Sequence, residues 1–198
     1  GLRQTSGGQL LLDGEDIGHW PVRRRREAGI GYVPEDRHRR GLLLDAPLWE
    51  NAMLGHQTMA PFARGPFLDR SGARSATTRI VEHFDVRTPG IDTSARALSG
   101  GNQQKLVIGR EMAASPRLLV AAHPTRGIDV GAQASVWADL RAARREGLAM
   151  LLVSADLEEL IGLADRLVVM LRGRVVAELD PATTTPRILG GYMTGADE

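Results

Sequence analysis

Residues 98–105 have the sequence Leu-Ser-Gly-Gly-Asn-Gln-Gln-Lys, which combines a helix start, two adjacent glycines and a polar first turn. Ser99 carries a side-chain oxygen suited to cap a helix, and the residues that follow predict a helix to about Ala114. Gly100 and Gly101 remove the Cβ atoms that would keep a bulky phosphate from the backbone, and the helix dipole favours negative charge there. The stretch therefore indicates an anion site, with ordinary loop chemistry before a helix as the alternative.

The composition indicates a globular chain with one substantial core, because 42% of its 198 residues are apolar. The 25 basic and 24 acidic residues leave a net charge of +1, which does not favour a nucleic-acid partner. The basic run Arg23–Arg26 precedes Glu27 and contains no aromatic residue, so we expect a solvated helix face. The absence of cysteine excludes disulfides and thiolate metal sites. No apolar run approaches the roughly 18 residues of a membrane helix, so membrane association would require a partner.

The first half of the chain predicts a hairpin, a strand and then helices. Residues 9–14 indicate a strand that enters a tight turn, and Pro21 opens a short helix to about Ala28. A buried strand at 30–33 is followed by a charged loop at 35–41, the kind of position where open α/β sheets bind ligands. Helices at about 47–55 and 69–84, without a strong strand between 45 and 97, predict an inserted helical lobe.

The second half alternates strands and helices. Residues 117–122 form an apolar run of strand length between two prolines, which predicts a central parallel strand buried on both faces. The pattern continues with a helix at 131–146, a strand at 148–153, a helix at 156–164 and strands at 166–171 and 174–178. This alternation predicts βαβ units and a mostly parallel sheet.

Four motifs in one order carry a family resemblance. They are the Ser-Gly-Gly helix start, the strand about 20 residues on, Pro-Thr-Arg-Gly-Ile-Asp at 124–129, and Ser-Ala-Asp-Leu at 154–157. Together they make the chain resemble the nucleotide-binding domain of ABC transporters over essentially its whole length. The resemblance implies an α/β fold with a P-loop NTPase-like (ABC ATPase) core, a mostly parallel sheet and an inserted helical lobe. It places 98–104 at the signature, Glu35 at the Q-loop, 118–125 at Walker B, Asp129 in the D-loop and 154–156 at the switch loop.

The same resemblance divides the chain into three parts. Residues 1–44 correspond to a partial ATPase core, 45–110 to a helical subdomain that ends in the signature helix, and 111–198 to a RecA-like core. No Gly-x-x-x-x-Gly-Lys-Ser/Thr occurs in the sequence, and its one lysine is Lys105. In the family that P-loop precedes the position of residue 1, so we expect an N-terminally truncated piece of a longer protein.

The particular forms of these motifs make the chain resemble one group within the family. Pro-Glu-Asp-Arg at 34–37 followed by Gly-Leu at 41–42, Gly-Asn-Gln-Gln-Lys at 101–105 and Pro-Thr-Arg-Gly at 124–127 are similar to the second, C-terminal cassette of importers for simple sugars or nucleosides. In that group two cassettes are fused in one polypeptide. The Ala-Ala-x-Pro-Thr-Arg-Gly form at 121–127 favours the nucleoside branch.

Departures from the family pattern predict that this cassette's own site is degenerate. The Asp-Glu pair that ends Walker B is replaced by Ala122 and His123, and the switch histidine by Ala155. Glu35 replaces the Q-loop glutamine, and we expect its charge to repel a triphosphate unless Mg²⁺ intervenes. Histidine can act as a general base, so His123 is either that or a structural residue. We expect no intact catalytic residue, no metal site and little hydrolysis of ATP by this chain alone.

The signature, by contrast, is intact, and in ABC dimers the signature of one cassette caps the ATP held by the other. The resemblance therefore implies that Ser99, Gly100, Gly101 and Gln103 contribute to a nucleotide site across the dimer interface. Asp129 would support that interface or simply provide a charge at a helix start. Glu35 together with residues 45–97 would transmit closure to the membrane subunit.

The implied cofactors and partners belong to a complete transporter. ATP and Mg²⁺ would serve the full transporter, with neither bound by this chain alone. The expected partners are a first cassette in the same polypeptide, permease subunits and, indirectly, a solute-binding protein, at the cytoplasmic face of the membrane. Two alternatives stay open: a repair or translation ATPase, which predicts a basic stripe or coiled coil that 45–97 lacks, and a structural pseudo-ATPase.

Overall fold

The structure is a computed structural model that describes residue 3 and residues 5–195 of the chain. Its strands are β1 (Leu11–Leu12), β2 (Glu15–Asp16), β3 (Ile30–Val33), β4 (Ala63–Arg64), β5 (Phe67–Leu68), β6 (Leu118–Ala122), β7 (Ala149–Val153), β8 (Leu167–Leu171) and β9 (Arg174–Leu179). Its helices are α1 (Val22–Glu27), α2 (Arg37–Arg40), α3 (Leu48–Ala52), α4 (Arg70–His83), α5 (Gly100–Ala113), α6 (Val130–Arg145), α7 (Leu157–Leu163) and α8 (Pro186–Thr194). None of these helices has the length and apolar character needed to span a bilayer.

A parallel sheet of β3, β6 and β7, in that order, forms the centre of the molecule. The expected βαβ organisation is therefore confirmed for the core, whereas the other strand pairs (β1–β2, β4–β5 and β8–β9) are antiparallel hairpins. The prediction that β6 is buried on both faces is wrong. Leu119 and Ala121 are fully buried, but the alternate residues of the strand are only half-buried, so one face of this strand is partly open to solvent.

The main core joins the sheet to helices from both halves of the chain. Its fully buried side chains include Val33 and Leu119 from the sheet, Leu48 from α3, Leu106 from α5 and Val136 from α6. Residues of the expected helical lobe thus share one apolar cluster with the sheet. Burial of this shared apolar surface holds α5, and with it the Ser-Gly-Gly turn, at a fixed place beside the sheet.

Three local elements differ from the sequence prediction. Part of the expected charged loop at 35–41 is the helix α2, because the Asp36 carboxylate accepts hydrogen bonds from the backbone N–H groups of His38 and Arg39, each at 3.1 Å. The segment 45–97, expected to lack a strong strand, contains the short β4–β5 hairpin. The helix α8 was not predicted, although Thr185 at its N-cap, Pro186 in its first turn and Gly195 after its end are ordinary helix signals.

A buried charge cluster ties α1, β3 and α5 together. The fully buried Glu111 carboxylate accepts hydrogen bonds from Arg26 Nη1 at 2.5 Å, from Arg110 Nε at 2.9 Å and from the backbone N–H of Tyr32 at 3.0 Å. Arg110 also donates to the carbonyl of Gly41 at 2.8 Å. The expectation of a wholly solvated basic face on α1 is therefore wrong for Arg26, whose side chain reaches inward to this carboxylate.

His56 lies against the same cluster, and its burial leads us to predict that the free energy of unfolding depends on pH. It is 3% exposed, with Nε2 3.8 Å from Glu111 Oε2, and burial together with Arg26 and Arg110 lowers its pKa despite the attraction of Glu111. The unfolded chain therefore binds a proton at this residue before the folded chain does. We expect the free energy of unfolding to fall as the pH drops below 6.5, the ordinary pKa, until the lowered folded-state pKa is passed. The slope from this one proton is at most about 1.4 kcal/mol per pH unit.

Urea unfolding at a series of pH values between 7.5 and 5 (from about 1 pH unit above to about 1.5 pH units below an ordinary histidine pKa) measures this slope. His56→Leu should flatten it, whereas the matched His19→Leu variant, at an exposed position, should keep the wild-type slope. An unchanged slope in His56→Leu would show that His56 does not supply the pH dependence.

Candidate functional site

The first turn of α5 presents Ser99 at the protein surface. Ser99 is the N-cap, and its Oγ accepts hydrogen bonds from the Asn102 backbone N–H at 3.4 Å and from Asn102 Nδ2 at 3.0 Å. The predicted capping role and helix are confirmed. Because α5 is a 14-residue helix, its N-terminus combines the exposed Ser99 hydroxyl group with the positive end of the helix dipole. The chemistry of this turn fits a phosphate group supplied from outside the chain.

The two glycines of this turn lie in close contact with other parts of the chain. A Cβ atom on Gly101 would lie 2.7 Å from Ala132 Cβ, and one on Gly100 would lie 2.8 Å from Arg37 Nη2 and 3.2 Å from the Gly127 carbonyl oxygen. Gly101 is buried and Gly100 is half-buried. The sequence predicts access for a phosphate as the reason for these glycines. In this structure the close approach of α5 to α6 already requires glycine at position 101, whereas a Cβ atom at position 100 would meet the mobile end of Arg37 and crowd the Gly127 carbonyl oxygen.

Gln103 is buried, and its amide is engaged inside the chain. Its Nε2 donates to the Ala95 carbonyl at 3.0 Å, while its Oε1 lies 2.8 Å from His38 Nε2 and 3.3 Å from Arg37 Nε. A direct contact of Gln103 with a nucleotide stays a prediction, and it would require the amide to leave these partners. The structure instead shows Gln103 joining α5 to α2.

Arg37 joins the same two helices to a third segment. Besides its contact with Gln103, its guanidinium donates to the carbonyl oxygens of Arg126 at 2.9 Å and of Gly127 at 3.1 Å. Burial lowers the pKa of Arg37 from its ordinary value. The sequence offered no signal for these contacts beyond the density of charge at 35–41, because the carbonyl partners lie about 90 residues further along the chain.

Glu35 lies at the carboxyl end of β3 and forms an ion pair with Arg126 Nη1. The guanidinium therefore offsets the charge that was expected to repel a triphosphate. Both side chains are more than half exposed, so the pair can open at little cost and is screened by salt. Two arginines therefore connect the segment after β3 with the turn at 126–127: Arg37 donates to carbonyl groups of the turn, and Arg126 of the turn pairs with Glu35.

A concave site of about 540 Å³ lies between these segments. Its lining comes from the end of β3, the loop and helix that follow it, the end of β6 and the turn at 126–127, namely Tyr32, residues 35–40, Ala122, Arg126 and Gly127. Four arginines against the carboxylates of Glu35 and Asp36 give the lining an excess of positive charge. The site lies at the carboxyl ends of β3 and β6, as the sequence predicted for a ligand-binding position.

The three positions predicted to be degenerate, Ala122, His123 and Ala155, lie at or just after the carboxyl ends of β6 and β7. Ala122 pairs with Val153, and the backbone N–H of His123 donates to the Val153 carbonyl at 2.8 Å. The Nδ1 atom of His123 accepts a hydrogen bond from the Ala155 backbone N–H at 3.4 Å, and His123 has a φ of 49°. The imidazole of His123 therefore contacts the backbone of Ala155, which stands at the position where the resemblance predicts the switch histidine.

These side chains do not fit a magnesium site of this chain's own. Mg²⁺ prefers oxygen ligands, and the positions concerned provide a methyl group and an imidazole. Within residue 3 and residues 5–195, no group of three or more His, Asp or Glu side chains is arranged to hold a metal ion.

Asp129 is exposed and caps α6. Its Oδ1 accepts a hydrogen bond from the Ala132 backbone N–H at 2.9 Å, and this bond is the main cause of its lowered pKa. The simpler of the two predicted roles, a charge at a helix N-terminus, is therefore confirmed. A role at an interface stays a prediction.

A buried contact between α6, α7 and the turn after β6 was not found from the sequence. The fully buried Glu159 accepts hydrogen bonds through Oε1 from Thr125 Oγ1 at 2.6 Å and from Trp137 Nε1 at 3.2 Å. Thr125 directly precedes Arg126, and Glu159 lies in the first turn of α7, just after the switch position. The two loops beside His123 are thus joined a second time below the surface.

Comparisons with known proteins agree with this geometry. Residues 1–126 match the family model described as ABC transporter. The chain is 43% identical over 198 residues to the guanosine import ATP-binding protein NupO of Bacillus subtilis, 40% over 197 residues to the nucleoside import ATP-binding protein NupA of Lactococcus lactis, and 42% over 178 residues to the ribose import ATP-binding protein RbsA 1 of Streptomyces avermitilis. These alignments cover 100%, 100% and 89% of the chain but only 39%, 39% and 34% of the relatives. The chain therefore spans about two fifths of their length.

Solved structures show the same fold. A nucleotide-free ATP-binding cassette from an ABC transporter superposes with a TM-score of 0.77 at 20% identity, covering 97% of this chain and 79% of that one. A dimeric ATP-binding cassette in a post-hydrolysis state, bound to ADP and Pi, superposes with a TM-score of 0.74 at 19% identity, covering 91% and 76%. The expected α/β cassette fold is confirmed.

Proposed function

The chain belongs to the ABC transporter family, and from this membership we propose that it forms the second cassette of an ATP-binding subunit that energises import of a nucleoside or simple sugar. In this proposal it hydrolyses no ATP of its own and supplies the signature turn to a site on a partner cassette. The single observation that carries the proposal is an exposed, correctly capped Ser99 turn in the same chain as Ala122, His123 and Ala155.

The chemistry of the two surfaces supports this asymmetry. The α5 N-terminus offers a hydroxyl group and a positive dipole end to an incoming phosphate, and no metal ligand is needed there. At the carboxyl end of β6 the positions for a metal-orienting and a catalytic carboxylate hold Ala122 and His123, and the latter is turned toward the Ala155 backbone. Loss of a positioned general base alone costs about 10² to 10⁴ in rate.

The transported class, the partners and the location come from the relatives. The relatives are named for import of guanosine, nucleosides and ribose, and two of them align over the full length of this chain. We propose that the substrate class is a nucleoside or a simple sugar, that permease subunits and a solute-binding protein complete the transporter, and that a first cassette precedes this one in the same polypeptide. ATP and Mg²⁺ would be held by that first cassette, and the assembly would lie at the cytoplasmic face of the membrane.

Two substitutions of Ser99 that differ in charge test the proposal in the complete transporter, which includes the ATP-binding subunit. Asn and Asp both cap helices about as well as Ser, so Ser99→Asn and Ser99→Asp should melt at similar temperatures. Only Asp places a carboxylate where the proposal puts a phosphate. We expect Ser99→Asp to lower the steady-state ATPase rate by about tenfold or more relative to Ser99→Asn, because like charges repel at this short range.

A second variant tests the degenerate side of the same transporter. His123→Ala should leave the ATPase rate within about twofold of the wild type, whereas loss of a working general base would lower it by about 10² or more. Equal rates for both Ser99 variants and the wild type would instead favour a structural pseudo-ATPase. A large effect of His123→Ala would show that this cassette has a working site.

A further inference from the structure

Arg37 lies where three segments of the proposed interface meet. Its guanidinium donates to Gln103 Oε1 on α5 and to the carbonyl oxygens of Arg126 and Gly127 in the turn that leads to Asp129. These acceptors come from two segments that are not neighbours in sequence. One planar group with donors on Nε, Nη1 and Nη2 thus fixes both of them to α2.

The residues on either side of the Arg37 contacts are themselves fixed by hydrogen bonds. The Asp36 carboxylate caps α2 and fixes the backbone on which Arg37 is the first helical residue. On the other side, Gln103 accepts from His38 as well as from Arg37 and donates to Ala95. The chain of contacts therefore runs without a gap from the turn at 126–127, through Arg37 and Gln103, to the segment that precedes Ser99.

Close packing around the guanidinium makes the contact specific. The space in which a Cβ atom of Gly100 would lie is within 2.8 Å of Arg37 Nη2 and 3.2 Å of the Gly127 carbonyl oxygen. The guanidinium therefore fills the gap between the first turn of α5 and the turn at 126–127. A lysine at position 37 has one nitrogen, which cannot reach three acceptors on two segments in the same geometry.

We infer that Arg37 is a positioning residue that sets the first turn of α5 against the turn at 126–127, and thereby fixes how Ser99 and Asp129 stand relative to each other. This inference rests on the proposed function for its consequence, because Ser99 is the group proposed to meet a partner cassette and Asp129 is the residue predicted to support that interface. It does not rest on that function for the positioning itself. Arg37 acts through Gln103 and the two carbonyl groups and touches no nucleotide.

Hydrogen exchange in the complete ATP-binding subunit tests the positioning. Removing three charge-assisted hydrogen bonds in Arg37→Gln should speed amide exchange of segments 100–106 and 127–133 by about tenfold. Arg37→Lys should lie between Arg37→Gln and the wild type. The matched control is Arg39→Gln on the same helix. The Arg39 side chain is 85% exposed and, among the residues that the structure describes, pairs with Asp36 alone, at 3.9 Å; this variant should change neither segment.

Exchange of the distant β8–β9 hairpin separates positioning from general destabilisation. Under the inference, segment 167–179 exchanges at the wild-type rate in Arg37→Gln. Equal acceleration of all three segments, or none in segments 100–106 and 127–133, would overturn the inference.

A double-mutant cycle in the assembled transporter tests the consequence. Arg37→Gln should lower the ATPase rate, and it should lower it no further when Ser99→Asp is already present, since both act on one turn. Independent, multiplicative losses would overturn the link from Arg37 to Ser99. If Ser99→Asp by itself has no effect, the proposed function fails, and the exchange measurements alone decide the role of Arg37.

Discussion

Replacement of Glu111 by alanine is expected to lower the free energy of unfolding by about 3–5 kcal/mol, the usual cost of breaking a buried ion pair. Glu111 has no exposed surface and accepts hydrogen bonds from Arg26, Arg110 and the backbone of Tyr32. Without the carboxylate, the Arg110 guanidinium stays buried with only carbonyl partners, and the Tyr32 N–H loses its acceptor. Chemical denaturation followed by circular dichroism measures the loss.

Two further variants separate charge from the removal of a side chain. Glu111→Gln keeps the size and one acceptor oxygen, so it should retain the Tyr32 contact but still lose stability because the arginines are no longer balanced. Glu146→Ala removes an exposed carboxylate after α6 and should stay within about 0.5 kcal/mol of the wild type. A loss of less than about 1 kcal/mol in Glu111→Ala would contradict a structural role for the buried cluster.

Gly101→Ala should be the second most damaging substitution, with a loss of about 1–3 kcal/mol from overpacking. The added methyl group would lie 2.7 Å from Ala132 Cβ and 3.4 Å from Asp129 Oδ2. Contacts of a Cβ atom under 3.0 Å are essentially never seen, so the clash with Ala132 must be relieved by a movement of the first turn of α5 away from the start of α6. In the complete transporter the same shift should displace Ser99 and lower the ATPase rate.

A second substitution, at Ala132, should restore the stability that Gly101→Ala removes. Ala132→Gly removes the methyl group that Gly101→Ala meets, so the double variant should recover most of the lost stability. Gly190→Ala is the matched control in another helix, because its nearest neighbour, Leu157 Cδ1, is 4.0 Å away. It should be neutral or slightly stabilising, since alanine is the better helix former. A double variant no more stable than Gly101→Ala would show that the clash lies elsewhere.

Local features of this chain were predictable, because neighbouring residues determine them. Ser99 and Asp129 begin α5 and α6 as expected, and the alternation of apolar runs with helices located β6, α6, β7 and α7 to within about two residues, the ordinary uncertainty of helix and strand ends. The meeting of His123 with Ala155 also follows from the sequence, since both residues follow strands that are adjacent in a parallel sheet.

The contacts that were missed join residues far apart in the chain. Arg37 reaches carbonyl oxygens 89 and 90 residues away, and Arg26 reaches Glu111 across 85 residues. Backbone carbonyl groups carry no residue-specific signal, so no pattern could assign the partners of Arg37. The sequence does carry a signal for Glu111. Arg110 and Glu111 follow the apolar run at 106–108 in α5, and charged side chains in such a place need partners if they are buried. The packing role of Gly100 and Gly101 likewise required the positions of their neighbours.

The Glu159 contact gives the protein an optical reporter of its own. The indole of Trp137 donates to the buried carboxylate that also holds Thr125, so its fluorescence depends on whether α7 stays against α6. The other two tryptophans, Trp20 beneath the Arg24 guanidinium and Trp49 on α3, lie outside this contact and can be changed to phenylalanine. The remaining emission would then follow separation of α7 from α6 in real time, without an attached dye.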